Sequence, residues 1–217
     1  MPTVDTPQLN GIFITFEGLD GSGKTTQLRL LENELRKRGR SVVSTSEPGG
    51  TLLGKRVREL ILDEDLQVSP LSELLLFAAD RAQHIETLVR PALKKGQIVI
   101  SDRYADATVA YQGAGRGVDL RLVKQLIKLA TNGLKPNLTL FFDLPVKDAL
   151  KRTASRVTLG QKNNRLDNED DEFYTLVREA YLQIAAAERK RFRVVDAAAS
   201  PTEIHNRVLE IVGEFLQ

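Results

Sequence analysis

GLDGSGKTT, at residues 18–26, is the stretch that decides the fold class. Its part from Gly18 to Thr25 follows the pattern G-x-x-x-x-G-K-T, in which consecutive backbone N–H groups surround a phosphate. The apolar run GIFITF (11–16) precedes the loop, and a helical pattern of leucines follows it. A glycine loop between a strand and a helix is the context in which this pattern indicates a nucleotide-binding loop.

The polar residues of this loop have predicted roles. Lys24 is expected to reach the terminal phosphates of a nucleotide, and Thr25 to offer its hydroxyl to Mg²⁺. Asp102 ends a later apolar run, where a P-loop enzyme keeps a carboxylate that steadies Mg²⁺. The residues predicted to bind the nucleotide are Gly18, Leu19, Asp20, Gly21, Ser22, Gly23, Lys24, Thr25 and Thr26.

Length and composition limit the other possibilities. The 217 residues fit a single domain, 1–217, and the net charge of +2 gives no reason to expect a nucleic-acid partner. The absence of cysteine excludes disulfides and thiolate chemistry, and it fits a cytoplasmic location. The longest apolar runs are too short to span a bilayer, and the N-terminus lacks the pattern of a signal peptide, so no membrane contact is expected.

Apolar runs typical of buried strands alternate with helical patterns along the chain. The five runs are 11–16, 41–46, 96–101, 137–144 and 191–197. This alternation predicts an α/β P-loop NTPase fold, with a five-stranded parallel sheet and helices on both faces. One helix is predicted from about Pro70 to Val89, and a long one from near Asp167, as its cap, to Arg189. Motifs that follow the strands should meet at the carboxyl edge of the sheet.

Three further segments carry residues suited to a second substrate. In SDRYADATVAYQGAGRG (101–117), Arg103 follows Asp102, and a guanidinium there is suited to a second phosphate. In ELLLFAADRAQH (73–84), Phe77 and Arg81 share a helical face and could stack on and hydrogen-bond a flat base. The third, SEPGGT (46–51), presents glycine N–H groups and a glutamate. Taken singly, these segments also fit a plain turn, a surface ion pair and a core phenylalanine.

The loop alone leaves the type of P-loop protein open. A GTPase would usually carry Asn-Lys-x-Asp after a strand, whereas NLTLFFDL runs into PVKD with no asparagine before the lysine. A regulatory ATPase that binds a protein partner would leave the aromatic and arginine residues of the other segments without a joint purpose. A kinase for another nucleotide stays possible from these residues alone.

The ordered set of motifs resembles the thymidylate kinase family. The matching segments are FEGLDGSGKTTQ, EPGGT, LLFAADRAQH, ISDRYADATVAYQGAGRG and NRLDNED. The resemblance extends from about residue 11 to the closing helix. It implies a homodimeric kinase that transfers the γ-phosphate of MgATP to dTMP in dTTP biosynthesis.

The resemblance also implies roles for individual residues. Phe77 would stack on thymine and Arg81 would bond the base edge. Arg103 would hold the dTMP phosphate, with Tyr104 beside the deoxyribose, and Asp20 near the 3′-hydroxyl and the transferring group. The predicted dTMP site is completed by Glu47, Thr108 and Gln112.

A lid at about 152–165 is the last expected part. Some family members place an arginine within the glycine loop, but this sequence has Gly21 there, so the resemblance implies that the lid supplies the catalytic arginine. Arg165 is the first candidate and Arg156 the second. One departure from the family pattern is Ser46, which stands where many bacterial relatives have an arginine before Glu-Pro-Gly-Gly-Thr.

Overall fold

The computed structural model describes residues 9–158 and 165–216. The strands in this part of the chain are β1 (Ile12–Glu17), β2 (Val42–Ser46), β3 (Ile98–Asp102), β4 (Leu138–Asp143) and β5 (Phe192–Asp196). They form one five-stranded sheet with the order β2-β3-β1-β4-β5, and all neighbouring pairs are parallel. The predicted α/β architecture is therefore confirmed.

Helices connect successive strands. They are α1 (Lys24–Lys37), α2 (Leu52–Leu62), α3 (Pro70–His84), α4 (Arg90–Lys94), α5 (Ala105–Thr108), α6 (Leu120–Thr131), α7 (Val146–Thr158), α8 (Asp171–Ala187) and α9 (Pro201–Phe215). Two π-helical segments (Ile85–Val89, Val109–Gly115) and a 3₁₀ turn (Arg165–Asn168) lie between them. Within residues 9–158 and 165–216, no helix combines the length and apolarity needed to cross a bilayer.

The central strands are covered on both faces. Phe13 and Val99 belong to a small core cluster that includes residues of the 85–94 helical segment, whereas Ile14 and Ile100 belong to a larger cluster with α1, α8 and α9. Because successive side chains of a strand point to opposite faces, these neighbours mark the two sides of the sheet. Burial on both sides explains why the strands are continuous apolar runs.

The helix predicted from Pro70 to Val89 has a wider turn at its end. Its regular part stops at His84, and the π-helical segment Ile85–Val89 leads directly into α4. Pro91 lies in the first turn of α4 and has no N–H to donate to the preceding helix. The change of hydrogen-bond pattern just before Pro91 accommodates this missing donor.

The helix predicted to begin at Asp167 begins later. Asp170 is the N-cap of α8, and its Oδ1 accepts a 2.8 Å hydrogen bond from the backbone N–H of Phe173. The prediction that Asp167 is the cap is wrong, since residues 165–168 form a separate 3₁₀ turn. The acidic run offers several possible caps, and Asp170 is the one whose carboxylate accepts an N–H group of the first turn of α8.

Candidate active site

A cavity of about 500 Å³ opens at the carboxyl ends of β1, β2 and β3. The glycine loop and the start of α1 contribute Asp20, Gly21, Gly23, Lys24, Thr25 and Thr26. Other segments contribute Ser46, Glu47, Arg58, Asp102, Arg103 and Arg152. Residues from the ends of three strands thus meet at one edge of the sheet, as expected for parallel strands.

The glycine loop has the backbone shape of an anion site. Gly18, Gly21 and Gly23 have φ angles of 137°, 84° and 87°, which residues with a Cβ atom rarely adopt. The N-cap of α1 is Gly23, which has no side chain to cap the helix, and the positive end of the helix borders the loop. The hydroxyl of Ser22 is buried and has no hydrogen-bond partner among the described residues. This is expected of a donor whose partner is a bound phosphate.

Lys24 is folded back onto its own loop. Its Nζ donates a 2.8 Å hydrogen bond to the carbonyl oxygen of Leu19, and the residue is buried. Burial lowers the pKa of Lys24 to about 8, and the nearby positive charge of Arg103 adds to the decrease. A triphosphate would be a stronger partner for this ammonium group than a single carbonyl oxygen.

Thr25 and Asp102 fit a Mg²⁺ site. The Thr25 hydroxyl donates a 2.6 Å hydrogen bond to Oδ2 of Asp102. The second carboxylate oxygen, Oδ1, is buried and has no hydrogen-bond partner within the described part of the chain. Mg²⁺ prefers oxygen ligands and commonly binds through one or two protein groups together with substrate phosphates. The hydroxyl, the unsatisfied carboxylate oxygen and the adjacent phosphate loop provide this donor set.

Arg103 brings a second cation to the loop. Its Nη2 lies 3.2 Å from Oδ1 of Asp20, 3.1 Å from the hydroxyl of Tyr111 and 3.4 Å from the carbonyl oxygen of Gly18. The guanidinium carbon lies 5.3 Å from the centre of the Tyr111 ring. The Arg103 guanidinium therefore lies beside the glycine loop.

Arg81 joins three segments below the cavity. Its Nε donates to Oε2 of Glu47 at 2.7 Å, Nη1 donates to the Thr108 hydroxyl at 2.9 Å, and Nη2 donates to the carbonyl oxygen of Tyr104 at 2.9 Å. The other Glu47 oxygen, Oε1, lies 2.8 Å from Nδ1 of His84. The structure thus brings three predicted dTMP-site residues, Glu47, Arg81 and Thr108, into one buried network.

The two other predicted base-site residues lie on different helical segments, Phe77 on α3 and Gln112 in the π-helical segment Val109–Gly115. Phe77 is one turn before Arg81, is half-buried and belongs to neither core cluster. Gln112 is buried, and its side-chain amide donates a 2.8 Å hydrogen bond to Oε1 of Glu73. The face of α3 that holds Phe77 and Arg81 is therefore bordered by the helical segment after β3.

Arg165, the first candidate for a catalytic lid arginine, is held away from the cavity. Its Nη2 is hydrogen-bonded to Glu73, and its Nε donates to the carbonyl oxygen of Ile61 at 3.1 Å. The second candidate, Arg156, belongs to α7, but its side chain lies outside the described residues. Residues 159–164 of the predicted lid also lie outside them.

Arg152 occupies the position next to the loop. Its Nη1 donates hydrogen bonds to the carbonyl oxygens of Gly21, at 3.4 Å, and Ala197, at 3.1 Å. A Cβ atom added to Gly21 would lie 2.7 Å from the carbonyl oxygen of Ala149. Helix α7 therefore packs directly on the loop at Gly21 and leaves no space there for a side chain.

Comparison with known proteins agrees with this arrangement. The family model for thymidylate kinase matches residues 16–208. The thymidylate kinase of Deinococcus radiodurans is 47% identical over 204 residues, which cover 94% of this chain and 97% of the relative. That of Synechococcus sp. is 48% identical over 201 residues, with coverage of 93% and 94%. The crystal structure of thymidylate kinase from Ehrlichia chaffeensis is 38% identical and covers 93% of this chain and 98% of its own, with a TM-score of 0.74.

The chain belongs to the thymidylate kinase family. Membership confirms the resemblance drawn from the ordered motifs, and the similar solved structure confirms the P-loop fold. The thymidylate kinase motifs after β1, β2 and β3 all reach the same cavity.

Tyr104, which the thymidylate kinase resemblance leads us to expect beside the deoxyribose, is not among the residues that line the cavity. It has no exposed surface, its hydroxyl donates to the carbonyl oxygen of Leu134 at 3.1 Å, and its ring packs edge-on against Phe13. Tyr111, seven residues later, is the tyrosine whose hydroxyl contacts the Arg103 guanidinium.

Sequence reasoning also missed one cationic residue of the cavity, Arg58. It lies on α2 and donates a 3.2 Å hydrogen bond to the carbonyl oxygen of Pro48. Because it lies on a helix rather than in a motif, only its charge could have drawn attention to it. Arg58 and Ser46 line the same cavity.

Proposed function

We propose that this chain transfers the γ-phosphate of MgATP to the phosphate of dTMP, giving dTDP and ADP. The main support is that the phosphate loop and the Arg103 guanidinium line the same cavity. Two phosphorylated substrates bound at these two places would meet end to end. Phosphoryl transfer needs positioning and charge neutralisation rather than a protein nucleophile, so a direct in-line transfer follows.

On the donor side, the loop amides and Lys24 would hold the triphosphate of ATP. Thr25 and Asp102 would hold Mg²⁺, whose chemical contribution when bound is to neutralise negative charge on the phosphates. On the acceptor side, Arg103 would hold the dTMP phosphate so that one of its oxygens faces the γ-phosphate. Asp20, which already contacts Arg103, would lie near the transferring group.

On the thymine side, Phe77 would supply the stacking surface and Arg81 the polar contact. Arg81 is buried, and its guanidinium is held by hydrogen bonds to Glu47, Thr108 and the carbonyl oxygen of Tyr104. Glu47 and Thr108 would fix the orientation of Arg81. We assign to Tyr111, in place of Tyr104, the position beside the deoxyribose, because its hydroxyl lies at the Arg103 guanidinium. Gln112 would complete the base site.

For the lid, we place Arg156 before Arg165 as the source of the catalytic cation, which reverses the order expected from the sequence. Arg165 is engaged with Glu73. Arg156 lies four residues after Arg152 on α7, so it shares the helical face that contacts the loop at Gly21. A cation on this face would lie near the transferring phosphate.

The test is the initial rate with MgATP and each of dTMP, dUMP, dCMP and the ribonucleotide of thymine. dTMP should be the best substrate, and dUMP should be poorer by about 10- to 200-fold in kcat/KM, because one methyl group in an apolar pocket gives limited discrimination. ATP hydrolysis without any monophosphate should be slow. Hydrolysis at the same rate with and without monophosphates would instead indicate a regulatory ATPase.

A homodimer and a cytoplasmic location are also part of the proposal. Helices α2, α3 and α6 pack side by side and carry exposed leucines. The exposed leucines include Leu53, Leu60, Leu71, Leu75 and Leu129. A second copy of the chain would cover such an apolar face. The cytoplasm is where ATP and deoxynucleotides are available, and light scattering of the purified chain would measure its oligomeric state.

A further inference from the structure

Arg103 has a backbone conformation that is uncommon for an arginine. Its φ is 71°, in the left-handed region that favours glycine. Among the described residues, the other non-glycine residue with a positive φ is Asn132, which ends α6 as its C-cap, an ordinary place for this conformation. Arg103 instead follows β3 directly, so helix capping does not account for its conformation. Strain of this kind persists only where the surroundings enforce it.

Three hydrogen bonds enforce the conformation of Arg103. Its N–H donates to the carbonyl oxygen of Phe16 at 2.9 Å, and its carbonyl oxygen accepts from the Ser101 hydroxyl at 2.8 Å. The next N–H, that of Tyr104, donates to Oε1 of Glu17 at 2.8 Å. The last two bonds fix both ends of the same peptide plane, so Ser101 and Glu17 together determine how the chain turns at Arg103.

Glu17 is an unusual residue to find in this position. It has no exposed surface, and its second oxygen accepts a 2.7 Å hydrogen bond from the Tyr181 hydroxyl. It does not line the cavity, and the proposed transfer gives it no contact with a substrate. A buried carboxyl group is costly to keep in a protein core. Burial raises the pKa of the Glu17 carboxyl to about 8, and the negative charge of Asp106 adds to the increase.

We propose that Glu17 and Ser101 are positioning residues for Arg103. They hold the peptide plane between Arg103 and Tyr104, and this plane keeps Arg103 in the left-handed conformation. From there its guanidinium reaches Asp20 and the loop. This inference rests on the proposed function. Glu17 and Ser101 orient Arg103, and Arg103 is the residue proposed to hold the dTMP phosphate.

The main test is a double-mutant cycle built on Ser101→Ala. With Arg103 present, Ser101→Ala should lower kcat/KM for dTMP by about 10- to 100-fold, because a small displacement of a positioning group has an effect of this size. The dissociation constant for ATP should change by less than about twofold. In an Arg103→Ala background, Ser101→Ala should change kcat/KM for dTMP by less than about twofold, since no guanidinium is left to misplace.

Glu17 is tested by comparison of two substitutions. Glu17→Met removes the acceptor for the Tyr104 N–H, whereas Glu17→Gln keeps an oxygen in that place. Glu17→Gln should therefore recover most of the kcat/KM for dTMP that Glu17→Met loses. If Glu17→Met does not fold, the Ser101→Ala cycle decides alone. Thr15→Val is the matched control, because it removes a buried hydroxyl from the strand position paired with Ser101, and this hydroxyl is bonded to Thr139 rather than to Arg103.

The outcomes separate this inference from the proposed function. Equal losses from Ser101→Ala in both backgrounds, or a parallel loss of ATP affinity, would overturn the positioning role while the kinase activity stands. A loss of dTMP turnover in Thr15→Val as large as in Ser101→Ala would also overturn it, since general destabilisation would then be the cause. A wild-type chain without activity on any nucleoside monophosphate would overturn the proposed function, and this inference with it.

Discussion

The Thr25 hydroxyl donates a 2.6 Å hydrogen bond to the Asp102 carboxylate, across 77 residues of chain. Thr25 lies in the first turn of α1, and Asp102 is the last residue of β3. The bond therefore ties the phosphate loop to the strand next to β1. Because the other Asp102 oxygen is buried without a partner among the described residues, the pair is prepared for a cation.

Asp102→Asn should raise the Mg²⁺ concentration that gives half-maximal rate by about 10- to 100-fold, the usual effect of removing a group that supports a metal site. ATP binding measured in EDTA should stay close to that of the wild type, because the loop amides are unchanged. Asp143→Asn is the matched control, since Asp143 ends β4 and pairs with Arg178 outside the cavity lining. An unchanged Mg²⁺ requirement in Asp102→Asn would remove Asp102 from the site.

Arg103→Ala should lower kcat/KM for dTMP by about 100- to 1000-fold, because it removes a preorganised charge from the acceptor phosphate. Affinity for ATP, measured by calorimetry, should change little. Arg178→Ala removes a guanidinium that is paired with Asp143 instead, and it should leave dTMP turnover unchanged. Equal losses in the two variants would show that Arg103 has no special role.

ATP binding should take up protons near pH 8. In the free protein, the pKa of Lys24 is lowered to about 8 by burial and by the charge of Arg103, so about half of the molecules lack this proton at that pH. The triphosphate stabilises the charged ammonium and raises its pKa, and each deprotonated molecule then binds a proton. Calorimetry in buffers of different ionisation enthalpy measures this uptake. Arg103→Ala removes the neighbouring cation and should reduce it.

The stability of the wild type should depend on the ionisation of Glu17. Its pKa is raised from 4.5 to about 8, so between these values the folded state keeps a proton that the unfolded state has lost. The stabilisation is fully present below pH 4.5 and is lost as the pH rises through about 8. The groups that face the carboxyl are Asp106, Arg103, Lys24 and Tyr181. Glu17→Gln cannot ionise, so its Tm relative to the wild type should rise from about pH 5 to about pH 8.5.

The two lid arginines should behave differently. Arg156→Ala should lower kcat by about 100- to 1000-fold with little change in dTMP affinity, as expected for a charge that acts on the transition state. Arg165→Ala should instead lower the free energy of unfolding by about 1–3 kcal/mol, because it removes one partner of the buried Glu73 carboxylate. Urea unfolding and steady-state rates measure both effects. Full turnover in Arg156→Ala would return the catalytic role to Arg165.

The strands and the phosphate loop could be predicted from the sequence because their signals are local. A run such as IFITFE needs no knowledge of distant residues to be a buried strand, and the glycine pattern sets the backbone of the loop by itself. The meeting of the motifs at one edge follows from parallel strands. The strands and the phosphate loop are thus determined by residues that are close together in the sequence.

Side-chain partners could not be predicted in the same way. The choice between Tyr104 and Tyr111 depends on the π-helical segment Val109–Gly115, whose glycines are more typical of a loop. Packing against α8 stabilises it, since a Cβ added to Gly115 would lie 2.5 Å from the Phe173 ring. The role of Arg165 depends on Glu73, which is 92 residues away in the sequence. Such pairings are products of tertiary structure.

Gly21 also restricts how this kinase could change during evolution. The space that a side chain would need at this position is filled by the first turns of α7, with Ala149 closest. An arginine introduced into the loop would therefore collide with the helix that carries Arg152 and Arg156. One substitution therefore cannot place a cation at this point of the loop, and an intermediate would first have to shift or shorten the helix.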